Sequence, residues 1–311
     1  MRRVILLKVA RWFEMSDGQK IYTRIYEQEN PIGDFYILHG MGEHGGRYDD
    51  FANFLHLEGY RVIVPDHRGH GKTGEVSGKL GYFCDDDGFE RVVEDVYEIV
   101  NQTMNKEAPR IIFGHSMGSF LARRFIQLHS SLVHQCILCG TGATTALHYI
   151  GNLLAKSLIR MQGKEMESKW MNELAFSSFN KQFENPKTPF DWLTSDGQAV
   201  ESYINDPYCG FVPTHQFFKD LTDGLLLISR KEENKKIRKD LPVLLISGAA
   251  DPVGNNGKGV FQVAEQLTEA GLEHVAVHLF EGMRHEILNE RSKELVYKVI
   301  KRWLKKWNDK S

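Results

Sequence analysis

The stretch Arg110-Ile111-Ile112-Phe113-Gly114-His115-Ser116-Met117-Gly118 decides the fold of this chain. Its apolar run predicts a buried strand, and the residues that follow the Gly-x-Ser-x-Gly motif, as far as Leu128, have the pattern of a helix. A serine in the sharp turn between a strand and a helix exposes its hydroxyl, as a nucleophile requires. The flanking glycines fit this turn, because larger side chains would collide with neighbouring backbone. The competing interpretation is a glycine-rich turn whose serine only caps the helix.

Apolar runs and helical patterns alternate on both sides of this motif. Strands are predicted at residues 35–38, 60–64, 110–113, 135–139, 243–246 and 275–280. Helices are predicted at residues 48–55, 89–104, 116–128 and 260–267, and over a final stripe of Leu295, Val296, Val299, Ile300, Trp303 and Leu304. Near the N-terminus, Asp17-Gly18 predicts a hairpin. This order predicts an α/β fold with a mostly parallel central sheet and helices on both faces.

The alternation stops between residues 143 and 228. This segment is rich in aromatic residues and in Pro, Asp and Gly, and it has no comparable succession of strands and helices. We therefore predict one α/β core, built from residues 1–142 and 229–311, with residues 143–228 inserted as a helical cap. The segment 143–228 is called the cap below.

The composition is that of an ordinary folded protein without a strongly charged partner. The chain has 39 Lys and Arg against 41 Asp and Glu, and its net charge of −2 offers no general attraction to nucleic acid. Cys136 and Cys139 lie three apart on a predicted strand, so they point to opposite faces and cannot easily share a metal ion. No apolar run approaches the roughly 20 residues of a membrane span. Lys8 and Arg11 interrupt the N-terminal apolar run, and no signal-peptide cleavage site follows. A cytoplasmic location is therefore expected.

A serine nucleophile needs a general base and an acid that orients the base. In an α/β sheet of this kind the chain order should be Ser, then acid, then His. Asp251 follows the predicted strand 243–246, and His285 follows the predicted strand 275–280. Both lie where strands end, which is where the sites of such sheets are built. The alternative for Asp251 is a turn or helix-capping role.

The reaction also needs two N–H donors for the oxyanion of the tetrahedral intermediate. The backbone N–H of Met117, directly after the nucleophile, is one candidate. The backbone N–H of Met41, in the loop after the predicted strand 35–38, is the other.

The same loop also fits a different function. Gly40-Met41-Gly42-Glu43-His44-Gly45 matches the Gly-x-Gly-x-x-Gly pattern of dinucleotide-binding proteins, and Asp66 lies about 20 residues further on. Against this alternative, the helix is predicted to begin after Arg47 rather than within the motif. A nucleotide site would also leave Ser116, Asp251 and His285 unexplained.

Several short motifs, spread over nearly the whole chain, form a set. They are His39-Gly40-Met41-Gly42-Glu43-His44 with Arg47-Tyr48, Asp66-His67-Arg68-Gly69-His70-Gly71, Gly114-His115-Ser116-Met117-Gly118, Asp191-Trp192-Leu193-Thr194-Ser195-Asp196, Asp251-Pro252-Val253 and His285-Glu286. Together they resemble the monoacylglycerol lipase and lysophospholipase family of α/β-hydrolases, which overlaps with the serine aminopeptidases. The resemblance implies Ser116, Asp251 and His285 as the catalytic triad and Met41 and Met117 as oxyanion donors. These are the positions that the residues themselves indicate.

Our primary hypothesis is hydrolysis of a lipid ester with a single acyl chain, a monoacylglycerol or a lysophospholipid, through an acyl-enzyme on Ser116. No metal or organic cofactor is needed for this reaction. Transient contact of the cap with a membrane or micelle surface is expected, and no oligomeric state is predicted. The acyl chain would lie under the cap, whose apolar residues include Leu147, Tyr149, Ile150, Leu153, Leu154, Phe176, Phe179, Trp192, Phe211, Phe217 and Phe218.

Three alternatives remain open at this point. A small-ester carboxylesterase would use the same triad on a different substrate. A receptor on a hydrolase scaffold would bind a ligand without turnover, although a complete triad has no purpose there. An aminopeptidase would use the triad together with acidic groups in the cap that hold the substrate amine, for which the candidates are Glu165, Glu167, Glu173, Glu184 and Asp191.

Overall fold

The computed structural model of the protein describes residues 7–308 and contains one eight-stranded sheet. The strands are β1 (Leu7–Glu14), β2 (Lys20–Glu27), β3 (Asp34–Leu38), β4 (Arg61–Pro65), β5 (Arg110–His115), β6 (Gln135–Cys139), β7 (Val243–Gly248) and β8 (Val275–Phe280). Their order across the sheet is β1-β2-β4-β3-β5-β6-β7-β8. Only the pairs β1–β2 and β2–β4 within this sheet are antiparallel, and all other neighbours are parallel. The predicted hairpin and the predicted mostly parallel sheet are confirmed.

Helices cover both faces of the sheet, also as predicted. They are α1 (Asp49–Leu57), α2 (Gly71–Val76), α3 (Gly88–Thr103), α4 (Met117–His129), α5 (Ala146–Gln162), α6 (Lys169–Phe176), α7 (Gly197–Asn205), α8 (His215–Ile228), α9 (Lys231–Asn234), α10 (Lys258–Glu269) and α11 (Lys293–Asn308). Helices α3, α4 and α10 pack in one hydrophobic cluster and α1 and α11 in another. Strand residues alternate between the two clusters, so Cys136 belongs to the first and Cys139 to the second.

Helix α11 shows how the apolar pattern becomes packing. Val296, Ile300, Trp303 and Leu304 are buried at helical spacing against the sheet, as the stripe predicts. Leu295, which the sequence analysis placed in the same stripe, is exposed instead. It lies at the edge of the stripe, directly before the buried Val296.

Residues 143–228, all of which the structure describes, contribute helices and no strand to the sheet. Helix α8 does not lie only over the cavity, because it packs against α3 and α4 of the core. At Gly224 of α8, a side-chain carbon would overlap the ring of Phe89 in α3. Phe217, which the sequence analysis counted among the residues over the acyl chain, is fully buried in the core beside Phe83. The last helix of the cap thus joins the cap to the core.

The helices among the described residues are all too short or too polar to cross a membrane. Residues 1–6, which contain most of the N-terminal apolar run, lie outside the described residues.

A buried carboxylate lies at the contact between α8 and α3. Asp220 is 1% exposed, accepts a hydrogen bond from Gln216 Nε2 (2.9 Å) and lies against Gly88, the first residue of α3. Burial raises the pKa of the Asp220 carboxyl from 3.8 to about 7. The contact therefore favours the protonated form of Asp220.

This shift predicts a pH-dependent effect of Asp220→Asn. As the pH rises through 3.8 the unfolded chain ionises first, so the raised native pKa lowers stability progressively up to about pH 7. Asparagine stays neutral, so the variant should gain about 4 kcal/mol in free energy of unfolding at pH 8 and well under about 1 kcal/mol at pH 4. Urea unfolding at both pH values measures this.

The matched control is Asp223→Asn on the same helix. Asp223 is more exposed and pairs with Lys219 (3.0 Å), so its substitution should give no gain at pH 8. An equal gain for Asp220→Asn at pH 4 and pH 8 would contradict the assignment.

Candidate active site

Ser116 lies in a strained turn between β5 and α4. Its backbone has φ 53° and ψ −120°, a conformation that residues other than glycine rarely adopt. The Ser116 N–H donates to the carbonyl of Cys139 in the neighbouring strand (2.9 Å), which holds the turn on the sheet. The flanking glycines are sterically required: a side-chain carbon on Gly114 would overlap the carbonyl of Gly118, and one on Gly118 would overlap the carbonyl of Leu38.

Asp251 and His285 form a buried pair at the ends of β7 and β8. His285 Nδ1 lies 2.9 Å from Asp251 Oδ1, and the two side chains are 2% and 0% exposed. Asp251 also accepts hydrogen bonds from the Ser247 hydroxyl (2.8 Å) and the Val253 N–H (2.9 Å). Burial would raise the pKa of the Asp251 carboxyl, but His285 and these two donors outweigh it and hold the pKa below 3.8. Asp251 is therefore ionised and can fix the imidazole tautomer.

Ser116, His285, Met41 and Met117 all line one cavity of about 890 Å³. Asp251 lies behind His285, and its neighbours Pro252 and Val253 reach the cavity wall. The structure thus brings together the residues that the sequence placed far apart in the chain.

The loop after β3 runs directly beside Ser116. A side-chain carbon on Gly40 would lie 3.1 Å from Ser116 Cβ, so this loop and the nucleophile turn are in contact. The loop is held by Glu43, which accepts the Gly40 N–H (2.6 Å), and by Tyr203 of the cap, whose hydroxyl donates to the Gly42 carbonyl (2.9 Å). Both candidate oxyanion donors, the N–H groups of Met41 and Met117, belong to backbone that borders the cavity. Met117 begins α4, where the first N–H groups have no acceptor within the helix.

A buried ion network, which the sequence analysis missed, lies under this loop. Arg47 donates to Glu43 (2.8 Å) and, through two nitrogens, to Glu286 (2.6 and 2.7 Å). His115 Nδ1 lies 3.2 Å from Glu43. Burial alone would raise the pKa of Glu43, but His115 and Arg47 hold it well below its ordinary value. Burial lowers the pKa of His115, but Glu43 outweighs burial and raises it overall.

The only sequence signal for this network was local. Glu43 and Arg47 are four residues apart within one motif, and Glu286 directly follows the candidate base. Nothing in the chain indicates that Arg47 bridges two segments 239 residues apart.

The cap reaches the candidate base through Trp192. Its ring lies 5.2 Å from the His285 ring, and its carbonyl accepts the His285 N–H (3.4 Å). The ring also contacts Phe176 and Phe179 at centroid distances of 5.7 and 5.0 Å. The motif containing Trp192 was noted in the sequence, but its contact with His285 was not predicted.

The structure disfavours the dinucleotide alternative on physical grounds. The carboxylate of Glu43 already accepts the Gly40 N–H, so a negative group occupies the place where a pyrophosphate would need that donor. Asp66 is fully buried and paired with Arg24 (2.6 Å), so it is not available to a ribose. The α-helix begins only at Asp49, after the motif has ended.

Among the described residues, His44, Asp206 and Cys209 form a cluster whose possible metal-ligand atoms lie within 4.8 Å of one another. Its hydrogen bonds do not suit a metal ion. His44 Nδ1 accepts the Gly46 N–H (3.1 Å), so the ring proton is on Nε2, which donates to Asp206 (2.9 Å). Both ring nitrogens are thereby engaged, and the cluster links the loop after β3 to the cap.

Comparisons with known proteins agree with this fold. The family model described as serine aminopeptidase, S33, matches residues 29–292. The monoacylglycerol lipase of Mycolicibacterium smegmatis is 24% identical over 88% of this chain and 89% of its own length. The monoglyceride lipase of Rattus norvegicus is 26% identical over 92% of this chain and 86% of its own length.

Among solved structures, a thermostable carboxyl esterase from Bacillus coagulans superimposes with a TM-score of 0.89 and 30% identity, covering 97% of this chain and 99% of that one. The region that the family model matches, residues 29–292, includes every motif of the candidate site. The chain therefore belongs to the serine aminopeptidase S33 family of α/β-hydrolases, and the resemblance to monoacylglycerol lipases that its motifs predict is confirmed.

Proposed function

We propose that the protein is a serine hydrolase that cleaves carboxylic esters of lipids with a single acyl chain. The observation that carries the proposal is the buried Asp251–His285 pair, in which His285 lines the same cavity as Ser116 in its strained strand-to-helix turn. The names of similar proteins support the ester class, since they include monoacylglycerol lipases and a carboxyl esterase.

The reaction proceeds through an acyl-enzyme. His285 Nε2 takes the proton of the Ser116 hydroxyl while Oγ attacks the ester carbonyl carbon, and the N–H groups of Met41 and Met117 bind the resulting oxyanion. The intermediate collapses when the ester C–O bond breaks, and His285 gives its proton to the departing alcohol. Water then attacks the acyl-enzyme in the same way and releases the carboxylic acid. Asp251 stays ionised throughout and stabilises the imidazolium.

The cavity suits an acyl chain. Its volume of about 890 Å³ lies within the usual range of small-molecule sites. Apolar residues from α5, α6 and the chain after them form much of its wall on the cap side. Of the cap residues predicted to surround the chain, those that line the cavity are Leu147, Ile150, Phe176, Phe179, Trp192, Phe211 and Phe218.

The acidic cap residues do not favour an aminopeptidase. Of the five candidates only Glu173 lines the cavity, and it is exposed. Glu165 pairs with Lys79 on the surface, and Asp191 accepts backbone N–H groups of Lys187 and Thr188. Glu43 and Glu286 also border the cavity, but both are already paired with Arg47. A substrate amine would thus find no unpaired buried carboxylate in this candidate set.

The proposal includes a contact between the cap and a lipid surface. Leu147, Ile150 and Leu153, on successive turns of α5, are 73%, 58% and 67% exposed, and the first two also line the cavity. Trp170 of α6 is 69% exposed. Exposed apolar side chains of this kind, at the edge of a cavity, are typical of interaction surfaces for lipid or protein.

The candidate triad predicts the effects of two substitutions. Ser116→Ala should abolish ester turnover and labelling by a fluorophosphonate, and Asp251→Asn should lower kcat by about 10⁴-fold because the imidazole loses its orienting partner. p-Nitrophenyl ester assays and intact-mass measurement of the labelled protein test both.

Asp240→Asn is the matched control, because Asp240 is exposed and pairs only with Arg238 on the surface (2.6 Å), so kcat should be unchanged. A wild-type protein that neither turns over esters nor reacts with the fluorophosphonate at Ser116 would refute the enzyme. A Ser116→Ala variant that retained biological activity would instead favour the receptor alternative.

The proposed lipid surface predicts a loss of activity that is limited to micellar substrate. Replacing Leu153 and Trp170 together by serine should lower activity on micellar monoacylglycerol about 100-fold, because each side chain contributes roughly 1.5 kcal/mol when buried in lipid and about 1.4 kcal/mol corresponds to a factor of ten. Activity on a dissolved short-chain ester should not change, since neither residue lines the cavity.

The control for the lipid surface is Leu128→Ser. Leu128 is 42% exposed on α4 of the core and does not line the cavity. If all variants lose micellar activity equally, or if the double variant loses none, the cap is not the lipid-binding surface.

A further inference from the structure

Trp192 contacts the cavity and the candidate base at the same time. Its ring lines the cavity together with Phe176 and Phe179, and the three rings pack against one another. The same ring lies 5.2 Å from the His285 ring, at an interplanar angle of 38°. The side chain is 7% exposed, so it is held between these two sets of contacts.

The other neighbours of the His285 ring belong to the core. Asp251 holds Nδ1, and the ring of His115 lies 4.8 Å away and is fixed by Glu43. Gly140 leaves just enough room on a further side, where a side-chain carbon would come within 3.0 Å of the imidazole. Trp192 is thus the cap residue whose ring contacts the imidazole of His285.

The backbone around Trp192 is joined to the loop that carries His285. We call residues 191–195 the clamp segment and residues 281–290 the base loop. The N–H groups of His285 and Glu286 donate to the carbonyls of Trp192 (3.4 Å) and Leu193 (2.6 Å).

Glu290 closes the same junction. It is 4% exposed and accepts hydrogen bonds from the N–H groups of Arg284 (2.9 Å) and Ser195 (3.1 Å), and from the Ser195 hydroxyl. The clamp segment and the base loop therefore move together, and a displacement of one displaces the other.

This arrangement rests on the proposed function and adds a specificity mechanism to it. We propose that Trp192 is a positioning residue that couples acyl-chain binding to His285, so that longer acyl chains raise kcat and do not merely lower KM.

The physical basis is the surface that Phe176, Phe179 and Trp192 present to the cavity. An acyl chain that fills the cavity makes dispersion contacts with these rings. These contacts stabilise the packed arrangement in which Trp192 lies against the imidazole of His285. Binding energy from a part of the substrate remote from the ester is thereby used to orient the base. A short ester leaves those ring faces without a partner and gains no such orientation.

Phe218 provides a comparison within the same cavity. It also lines the wall, but it packs with Ala155 and Met171 in a separate cluster that does not include Trp192. Its contacts with an acyl chain contribute to affinity, and among the described contacts it has none with His285. Phe218 thus separates an effect of lost apolar surface from an effect on the base.

The experiment measures kcat and KM for p-nitrophenyl acetate, butyrate, octanoate and laurate with wild type, Trp192→Leu, Trp192→Phe and Phe218→Leu. In the wild type, kcat should rise with chain length. Trp192→Leu should lower kcat for octanoate and laurate by about 10- to 100-fold, because a misplaced base costs this much, while kcat for acetate changes by less than about threefold. Trp192→Phe should recover most of the loss.

Phe218→Leu should raise KM for the long esters and leave the dependence of kcat on chain length intact. A wild-type kcat that is independent of chain length, or a Trp192→Leu variant in which only KM changes, would overturn the proposal.

A second variant acts on the clamp without touching the cavity. Glu290→Gln keeps an oxygen for the Arg284 and Ser195 N–H groups and weakens the charge-assisted contacts. It should lower kcat for all four esters by a similar factor. If Trp192→Leu does not fold, Glu290→Gln decides: an unchanged kcat for all four esters would overturn the coupling.

The two proposals fail in different ways. If the wild type hydrolyses no ester and Ser116 is not labelled by a fluorophosphonate, the proposed function is wrong. If the wild type is active and labelled but the chain-length dependence survives in Trp192→Leu, only the coupling is wrong.

Discussion

Helix α4 approaches strand β3 so closely at Gly118 that a side-chain carbon there would overlap the carbonyl of Leu38. This close approach determines where Ser116 and the start of α4 lie relative to β3 and the loop that follows it. It lets α4 begin directly after Ser116, so that the N–H of Met117 points out of the helix start beside the serine. It also fixes the distance between Ser116 and the loop that leaves β3, which carries Met41. The strain at Ser116 is sustained by contacts with the surrounding backbone, including the hydrogen bond from its N–H to the carbonyl of Cys139.

The buried charges of the site are divided into two separate groups. In the first group, Arg47 pairs with both Glu43 and Glu286. In the second group, Asp251 pairs with His285. Two carboxylates beside one guanidinium leave an excess of negative charge, which accounts for the raised pKa of His115 next to Glu43. A buried ion network of this kind contributes little net stability, because desolvation offsets the attraction. Its evident consequence here is geometric, since it joins the loop after β3 to the residue that follows His285.

The sequence predicted the parts of the structure that depend on local pattern. Apolar runs of strand length and the order of Ser116, Asp251 and His285 were sufficient for the sheet and for the candidate triad, because each of these residues lies within five residues of the end of a strand. Contacts between distant segments were not predictable in this way. The bridge from Arg47 to Glu286, the ring of Trp192 on His285 and the packing of α8 into the core depend on where the cap is placed, and no local pattern encodes that position. Helix α2 was missed because it is six residues long and contains two glycines.

Strands β6 and β7 are hydrogen-bonded neighbours, although residues 140–242 separate them in the chain. During synthesis, β3, β5 and the Ser116 turn are complete well before β7 and β8 emerge from the ribosome with Asp251 and His285. Pairing β7 with β6 requires closure of this long loop, and non-local parallel pairing is intrinsically slow. Asp251 and His285 therefore join the Ser116 turn only after most of the chain has been synthesised, so the complete candidate site is one of the last features to form.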